Sequence, residues 1–287
     1  MSTKTSHRTG TTTSGDVELF YRRFGHPGET PVLILHGANY YDSHDWIDVA
    51  HELSDDRSVV AFDARGYGKS TWSPSHDYSL DAQLKDVGNT LNHLGWDRAI
   101  IVGHSRGGSF ALRYAAEHPE RVAGLVLVDY SPGQQPGTPR RPITGEHVTS
   151  APMFATLADA LAASSRDPRS LDSPSKRSRL EAIFAHRGNG WVNVMRDPAY
   201  ASSRPADRPD WTPTYGSRDP WDALASVRAP LFVVRATGSA VYDDEALARV
   251  CSLSVDPTVV QIDCGHDVAG EAPAELADAI RGFLPWV

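Results

Sequence analysis

The chain has 287 residues, of which 40% are hydrophobic and 22% charged, and a formal net charge of −8. This length and composition fit one large α/β core carrying an insertion, and they exclude a fibrous or wholly disordered chain. Because Lys and Arg are scattered rather than clustered, the acidic balance also excludes a nucleic-acid partner and an anionic membrane surface.

In chain order, residues 1–15 are rich in Ser, Thr and Gly and lack the apolar core of a secretory signal, so they read as a disordered tail. Residues 17–21 alternate like a half-buried edge strand, whereas Pro31-Val32-Leu33-Ile34-Leu35 is continuously apolar, like a central parallel strand. Strands follow at 58–62, 99–102 and 125–128, separated by helical periodicity at 80–94 and 109–116. Such alternation implies a mostly parallel sheet with helices on both faces. After Pro132 the chain turns rich in Pro, Ser, Arg and Asp, with helical patches at 154–163 and 179–185, which reads as an insertion outside the sheet. The rhythm resumes with a strand at 230–234, a helix at 245–253, a strand at 258–262 and a closing helix at 273–284. The division is therefore a tail at 1–15, a core at 16–131 and 230–287, and a lid at 132–229.

No run approaches the ~18 apolar residues needed to cross a bilayer. The two cysteines, Cys251 and Cys264, read as buried packing thiols, so a reducing, cytoplasmic setting is expected. The partner expected is a small-molecule substrate, with neither nucleic acid nor membrane, and a homodimer is left open.

The chemistry begins at Gly103-His104-Ser105-Arg106-Gly107-Gly108, between an apolar strand and a helical stretch. A G-x-S-x-G turn of this kind sets a serine at a strained corner with its hydroxyl above the sheet. The Arg106 N–H opens the helix, where developing negative charge is favoured. A serine hydroxyl needs a base. Of the twelve histidines, His266 follows a late strand in Cys264-Gly265-His266-Asp267, at the same sheet edge as Ser105, while His36 and His104 belong to local turn motifs. His36-Gly37-Ala38-Asn39 after a strand offers the Ala38 N–H as a second anion donor beside that of Arg106, with Asn39 and Tyr40 bordering the pocket. Asp42, His44, Asp45, Asp48 and His51 crowd together but fit a helix start and a solvated face, so no metal is expected.

Taken together, His36-Gly37, the segment Asp63-Ala64-Arg65-Gly66-Tyr67-Gly68-Lys69-Ser70, the serine turn and Gly265-His266 resemble the α/β-hydrolase superfamily from about residue 17 onward. The resemblance implies a doubly wound, mostly parallel sheet with an inserted helical lid, an order of serine, acid, histidine, and no cofactor. Asp63 and Arg65 then brace a turn. The acid usually follows the family's seventh strand, but Arg235-Ala236-Thr237-Gly238-Ser239-Ala240-Val241 offers no carboxylate there. Asp243 and Asp244 read as helix-start residues. Asp129, at the end of the strand at 125–128, matches the branches that place the acid after the sixth strand, and it is the acid chosen here, with Asp243 or Asp244 as the alternative.

The expected activity is serine-dependent hydrolysis of an ester or related acyl bond in a small to medium, partly hydrophobic substrate. Phe154, Phe184, Trp191, Tyr200, Trp211, Tyr215 and Trp221 of the insertion are candidates for the pocket wall, most of them expected to pack within the lid instead, and Arg187, Arg196 and Arg204 could bind a carboxylate but are expected in solvent. Alternatives within the superfamily are C–C bond hydrolysis or lysis, cofactor-free dioxygenation by the His–Asp pair, and a non-catalytic ligand receptor.

Overall fold

The computed structural model of the protein describes residues 7–38, 42–132, 153–163, 183–197 and 219–284. The first half of the core runs β1 (Arg8–Ser14), β2 (Val17–Phe24), β3 (Glu29–Leu35), α1 (Ile47–Glu52), β4 (Arg57–Phe62), α2 (Leu80–Leu94), β5 (Ala99–His104), α3 (Arg106–Glu117) and β6 (Val122–Val128). Insertion elements follow: β7 (Met153–Phe154), α4 (Leu157–Ala163), β8 (Phe184–Arg187) and β9 (Gly190–Asn193). The chain returns through α5 (Pro220–Ser226), β10 (Leu231–Ala236), α6 (Asp244–Leu253), β11 (Thr258–Ile262), α7 (Val268–Glu271) and α8 (Pro273–Phe283).

Eight strands form one sheet in the order β1-β2-β4-β3-β5-β6-β10-β11, parallel from β4 through β11 and antiparallel at β1 and β2. The two-residue period of each strand sorts its side chains onto opposite faces. Leu33, Leu35, Ile101, Leu125, Leu127 and Val233 share one cluster with α2 and α3. Val32, Ile34, Ile100, Val102, Val126 and Val234 share another with α1, α7 and α8. Strands buried on both faces explain why these segments are continuously apolar in the sequence. Helix α2 shows how local signals set the ends: the Ser79 hydroxyl accepts from the Ala82 N–H at 3.3 Å, and Gly95 closes the helix at φ 69°.

Four sequence expectations are corrected. Residues 8–14, expected within a disordered tail, are strand β1, which pairs along its full length with β2 and takes the sheet edge assigned to 17–21. Thr is β-branched and suits a strand, so a Thr-rich composition was a poor sign of disorder. The insertion is not purely helical: β7, β9 and β8 form a separate three-stranded sheet, and Phe184 and Ala185, expected in a helix, lie in β8. Helix α5, expected within the lid, packs Ala223 and Leu224 into the main core. Finally, Cys251 is exposed and Cys264 half-buried.

The turn after β4 is built as a brace. The Asp63 carboxylate accepts the N–H groups of Ser43 and Lys69 at 2.8 and 2.7 Å. Burial, reinforced by Asp42, pushes its pKa up to about 6. Arg65 grips Asp86 of α2 through two 2.7 Å bonds and donates to the Asp77 carbonyl at 2.8 Å. The insertion is fastened to this same turn, since the Gly68 N–H donates to the Met195 carbonyl at 2.7 Å and the Asp197 N–H to the Gly66 carbonyl at 2.8 Å. The Tyr78 hydroxyl also donates to Asp197. Among the described residues, no helix is long and apolar enough to cross a membrane.

Removing one partner of the Arg65–Asp86 pair strands a buried charge, which costs about 3–5 kcal/mol. Asp86→Ala is therefore expected to lower the thermal midpoint by roughly 10 °C. The double variant Arg65→Met with Asp86→Leu should recover much of that loss. Calorimetry in which the single variant melts like wild type would refute the bracing role.

Candidate active site

The glycines of the elbow set the site's position. A Cβ on Gly103 would lie 2.6 Å from the Gly107 carbonyl oxygen and 2.7 Å from the Ala111 Cβ, and one on Gly108 would lie 2.6 Å from the Tyr130 Cβ. Only residues without a side chain let α3 start this close to β5. Ser105 sits between them at φ 51°, ψ −118°, a conformation that costs an L residue on the order of 1–3 kcal/mol. Its N–H donates to the Val128 carbonyl at 3.0 Å, so the corner is tied to the neighbouring strand.

Asp129 repeats the device one strand over. It follows β6 at φ 44°, its N–H donates to the Val234 carbonyl at 2.8 Å, and its side chain is fully buried. Asp tolerates this left-handed region better than most residues. One carboxylate oxygen accepts from the Ala236 N–H at 3.3 Å, and the other accepts from His266 Nδ1–H at 2.7 Å. His266 Nε2 lies 3.0 Å from Ser105 Oγ. The acceptor on Nδ1 fixes the tautomer, because an imidazole whose Nδ1 carries the proton presents the Nε2 lone pair to the serine hydroxyl. Strand order explains the meeting: β5, β6, β10 and β11 are successive neighbours, so Ser105, Asp129 and the loop after β11 share one edge of the sheet.

The rival acids are engaged elsewhere. Asp243 caps α6 by accepting from the Ala246 N–H at 2.7 Å, and Asp244 pairs with Arg235 at 2.6 Å. The His266 loop is itself held, with the Gly265 N–H donating to Glu271 at 2.7 Å and the Gly238 N–H to the Cys264 carbonyl at 2.9 Å. Burial, with Glu271 next in effect, pushes the Cys264 thiol up to about 12, so it offers no thiolate at neutral pH.

His36 organises the anion-donor loop. It is buried, its Nε2 accepts from the Ala64 N–H at 2.9 Å, and its Nδ1–H donates to the Gly37 carbonyl at 2.7 Å. Burial and the Arg106 charge hold its pKa down at about 4, so at neutral pH roughly one molecule in a thousand carries the proton. In a trans peptide the C=O and N–H point in opposite directions. Gripping the Gly37 oxygen therefore fixes the direction of the Ala38 N–H. Arg106 supplies the N–H at the first position of α3, the helix end at which negative charge is favoured. Its guanidinium lies 4.2 Å over the Tyr67 ring and 5.3 Å over Phe110.

Asn39 and Tyr40, expected at the pocket edge, lie outside the described residues, as do Tyr200, Trp211, Tyr215 and Arg204. Trp191 is not a free pocket wall: it packs against the insertion's own core of Ala160, Ile183 and Phe184, with Phe154 edge-on to Phe184 at 6.1 Å. Trp221 lies on α5 beneath the Arg249 guanidinium, 4.1 Å from its ring centre. Arg196, expected in solvent unless it held a carboxylate, places its guanidinium 5.7 Å from the Tyr67 ring. Arg187 is exposed. Asp42 and Asp45, part of the apparent metal cluster, form a reciprocal capping box on the turn Ser43–Trp46. His104, read as a turn residue, is buried and donates from Nε2 to the His266 carbonyl at 2.8 Å. Its one sequence signal is adjacency to the serine.

Comparison with known proteins agrees with this fold. A sequence profile of the α/β hydrolase fold matches residues 30–273. Lipase LipV of Mycobacterium tuberculosis is 28% identical over 273 residues, spanning 93% of this chain and 98% of the relative. Esterase Rv0045c of the same organism is 27% identical over 267 residues, spanning 90% and 84%. Among solved structures, the thioesterase domain of the curacin biosynthetic pathway superposes with a TM-score of 0.74 at 20% identity, covering 96% of this chain and all of that one. E-2-(acetamidomethylene)succinate hydrolase gives 0.74 at 22% identity, covering 98% and 100%. At such identities the superpositions speak for the fold alone. The profile match, which takes in most of the chain from β3 into α8, carries the conclusion further: this chain belongs to the α/β-hydrolase fold family.

Proposed function

We propose that the protein is a serine hydrolase of carboxylic esters or related acyl compounds, with Ser105 as nucleophile, His266 as base and Asp129 as the acid that orients it. The observation that carries this reading is the continuous run of hydrogen bonds, 3.0 Å from Ser105 Oγ to His266 Nε2 and 2.7 Å from His266 Nδ1 to Asp129. The relatives named as lipase and esterase, which span most of this chain, support ester hydrolysis. The nucleophilic serine sets the chain apart from an aspartate-based mechanism.

His266 Nε2 takes the Oγ proton as Oγ bonds to the substrate carbonyl carbon. The oxyanion so formed accepts from the N–H groups of Ala38 and Arg106, donors worth on the order of 3 kcal/mol each in the transition state. Collapse breaks the bond to the alkoxide, which leaves with the proton from Nε2, and the acyl group stays on Ser105. Water then loses a proton to Nε2, attacks the acyl carbon, and the second collapse returns the proton to Oγ and releases a carboxylic acid. Buried Asp129 stabilises the transient imidazolium and preserves its tautomer. The insertion, pinned to the turn at 66–68, serves as the lid. The protein works without a cofactor.

The alternative in which the His266–Asp129 pair deprotonates an aromatic hydroxyl for oxygenation predicts a dispensable serine. With chromogenic short-chain esters, Ser105→Ala should lower kcat by about 10^4-fold or more. Full esterase turnover by that variant, or oxygen consumption that survives it, would reject the acyl-enzyme reading.

The choice of acid is tested separately. Asp129→Asn should cut kcat by roughly 10^3–10^4-fold through loss of the correct tautomer. Asp243→Asn should leave kcat within about twofold and cost about 1 kcal/mol or less in stability as a weakened cap. The reverse pattern would move the acid to the start of α6.

A further inference from the structure

We infer that His104, the residue immediately before the nucleophile, is a positioning residue whose side chain holds the main chain of His266 and so sets the distance between base and serine. The inference rests on the serine-hydrolase reading above.

The placement follows from the strand. His104 is the last residue of β5, and the two-residue period puts its side chain on the face that carries Ile100 and Val102, opposite the face of Ile101. That face is covered by α7 and α8, whose Val268, Ala269 and Leu276 belong to the same buried cluster. The loop bearing His266 leads directly into α7, so it passes over His104. There the His104 Nε2–H donates to the His266 carbonyl at 2.8 Å, with the two rings 4.8 Å apart and inclined by 42°. Behind His104 stands the fully buried Trp46, its ring centre 6.3 Å away. A carbonyl can only accept, so Nε2 must carry its proton.

The consequence is geometric. Ser105 Oγ and His266 Nε2 lie on segments 161 residues apart in the chain. The bonds of Gly265 and Gly238 already hold the His266 loop, but neither runs to the segment that carries Ser105. His104 joins the base's main chain to the residue next to the nucleophile, so the two reacting groups are referenced to one peptide unit. A displacement near 1 Å at a reacting centre can cost on the order of 100-fold in rate. His104 does not touch the substrate in this account; it acts through His266.

Amide side chains separate this role from general packing. Gln places its N–H₂ near the position of imidazole Nε2 and can reach the His266 carbonyl, whereas Asn mimics Nδ1 and falls short. Both are polar, uncharged and smaller than or close to His in volume. His104→Gln is expected to keep kcat within about threefold of wild type. His104→Asn should lower kcat by about tenfold to a hundredfold while KM stays within about twofold, since ground-state binding is untouched. Thermal midpoints of both variants are measured alongside, and the downfield Nδ1 proton of His266 is followed by NMR, expected to persist with Gln and to broaden or shift with Asn. If Asn prevents folding, His104→Met fills the space without a donor and is held to the same outcome. Equal kcat for the Gln and donor-lacking variants, or a loss seen in KM alone, overturns the proposal. Turnover that survives in Ser105→Ala would instead overturn the reading of the serine, whereas a dead Ser105→Ala with indistinguishable His104 variants removes only the role of His104.

Discussion

The close approach of α3 to the end of β5 is the constraint on which the rest of the site depends. Backbone passes against backbone at Gly103 and Gly107, Gly108 leaves room for the Tyr130 side chain, and the corner residue among them is forced to φ 51°. Such strain persists only where the surroundings over-determine it. Here the surroundings are the sheet itself: the Ser105 N–H is held by β6, and the Asp129 N–H by β10. Each strained residue is thus anchored to the next strand along, and the line ends at the loop that carries His266.

This chain of anchors gives Asp129, the proposed acid, its place after β6. With β5 and β6 adjacent, a carboxylate one residue past β6 needs no long loop to reach the imidazole, and it arrives fully buried. A buried carboxylate is costly unless its lone pairs are occupied. Asp129 meets that demand with the His266 Nδ1–H and the Ala236 N–H. The loop after β10, relieved of the acid, turns instead through Ser239, whose hydroxyl accepts from the Val241 N–H at 3.3 Å.

Much of this was legible in the sequence because the signals are local. Glycine spacing, apolar strands buried on both faces and the caps of α2 need no knowledge of distant partners, and Ser105, His266, Ala38 and Arg106 could be singled out from them. Asp129 came from the resemblance, some branches of which place the acid after the sixth strand, together with the lack of a carboxylate over residues 235–241, and Asp243 or Asp244 stayed open beside it. Other features depend on long-range packing and were misread. Residues 8–14 become a strand only because β2 offers an edge, and Trp221 packs against the main core rather than within the lid. His104 was set aside as a turn residue because its partner lies 162 residues away. His36 was read as part of a local turn motif, and its grip on the Gly37 carbonyl, which sets the direction of the Ala38 N–H, is visible only in three dimensions.

The most direct test of the account is to locate the covalent adduct left by a serine-reactive phosphonate, using intact-protein and peptide mass spectrometry. The account predicts one equivalent of label, carried by the peptide containing Ser105, formed quickly in wild type and far more slowly in Asp129→Asn. An unlabelled Ser105 in folded, active protein, or a label placed on another residue, would contradict it.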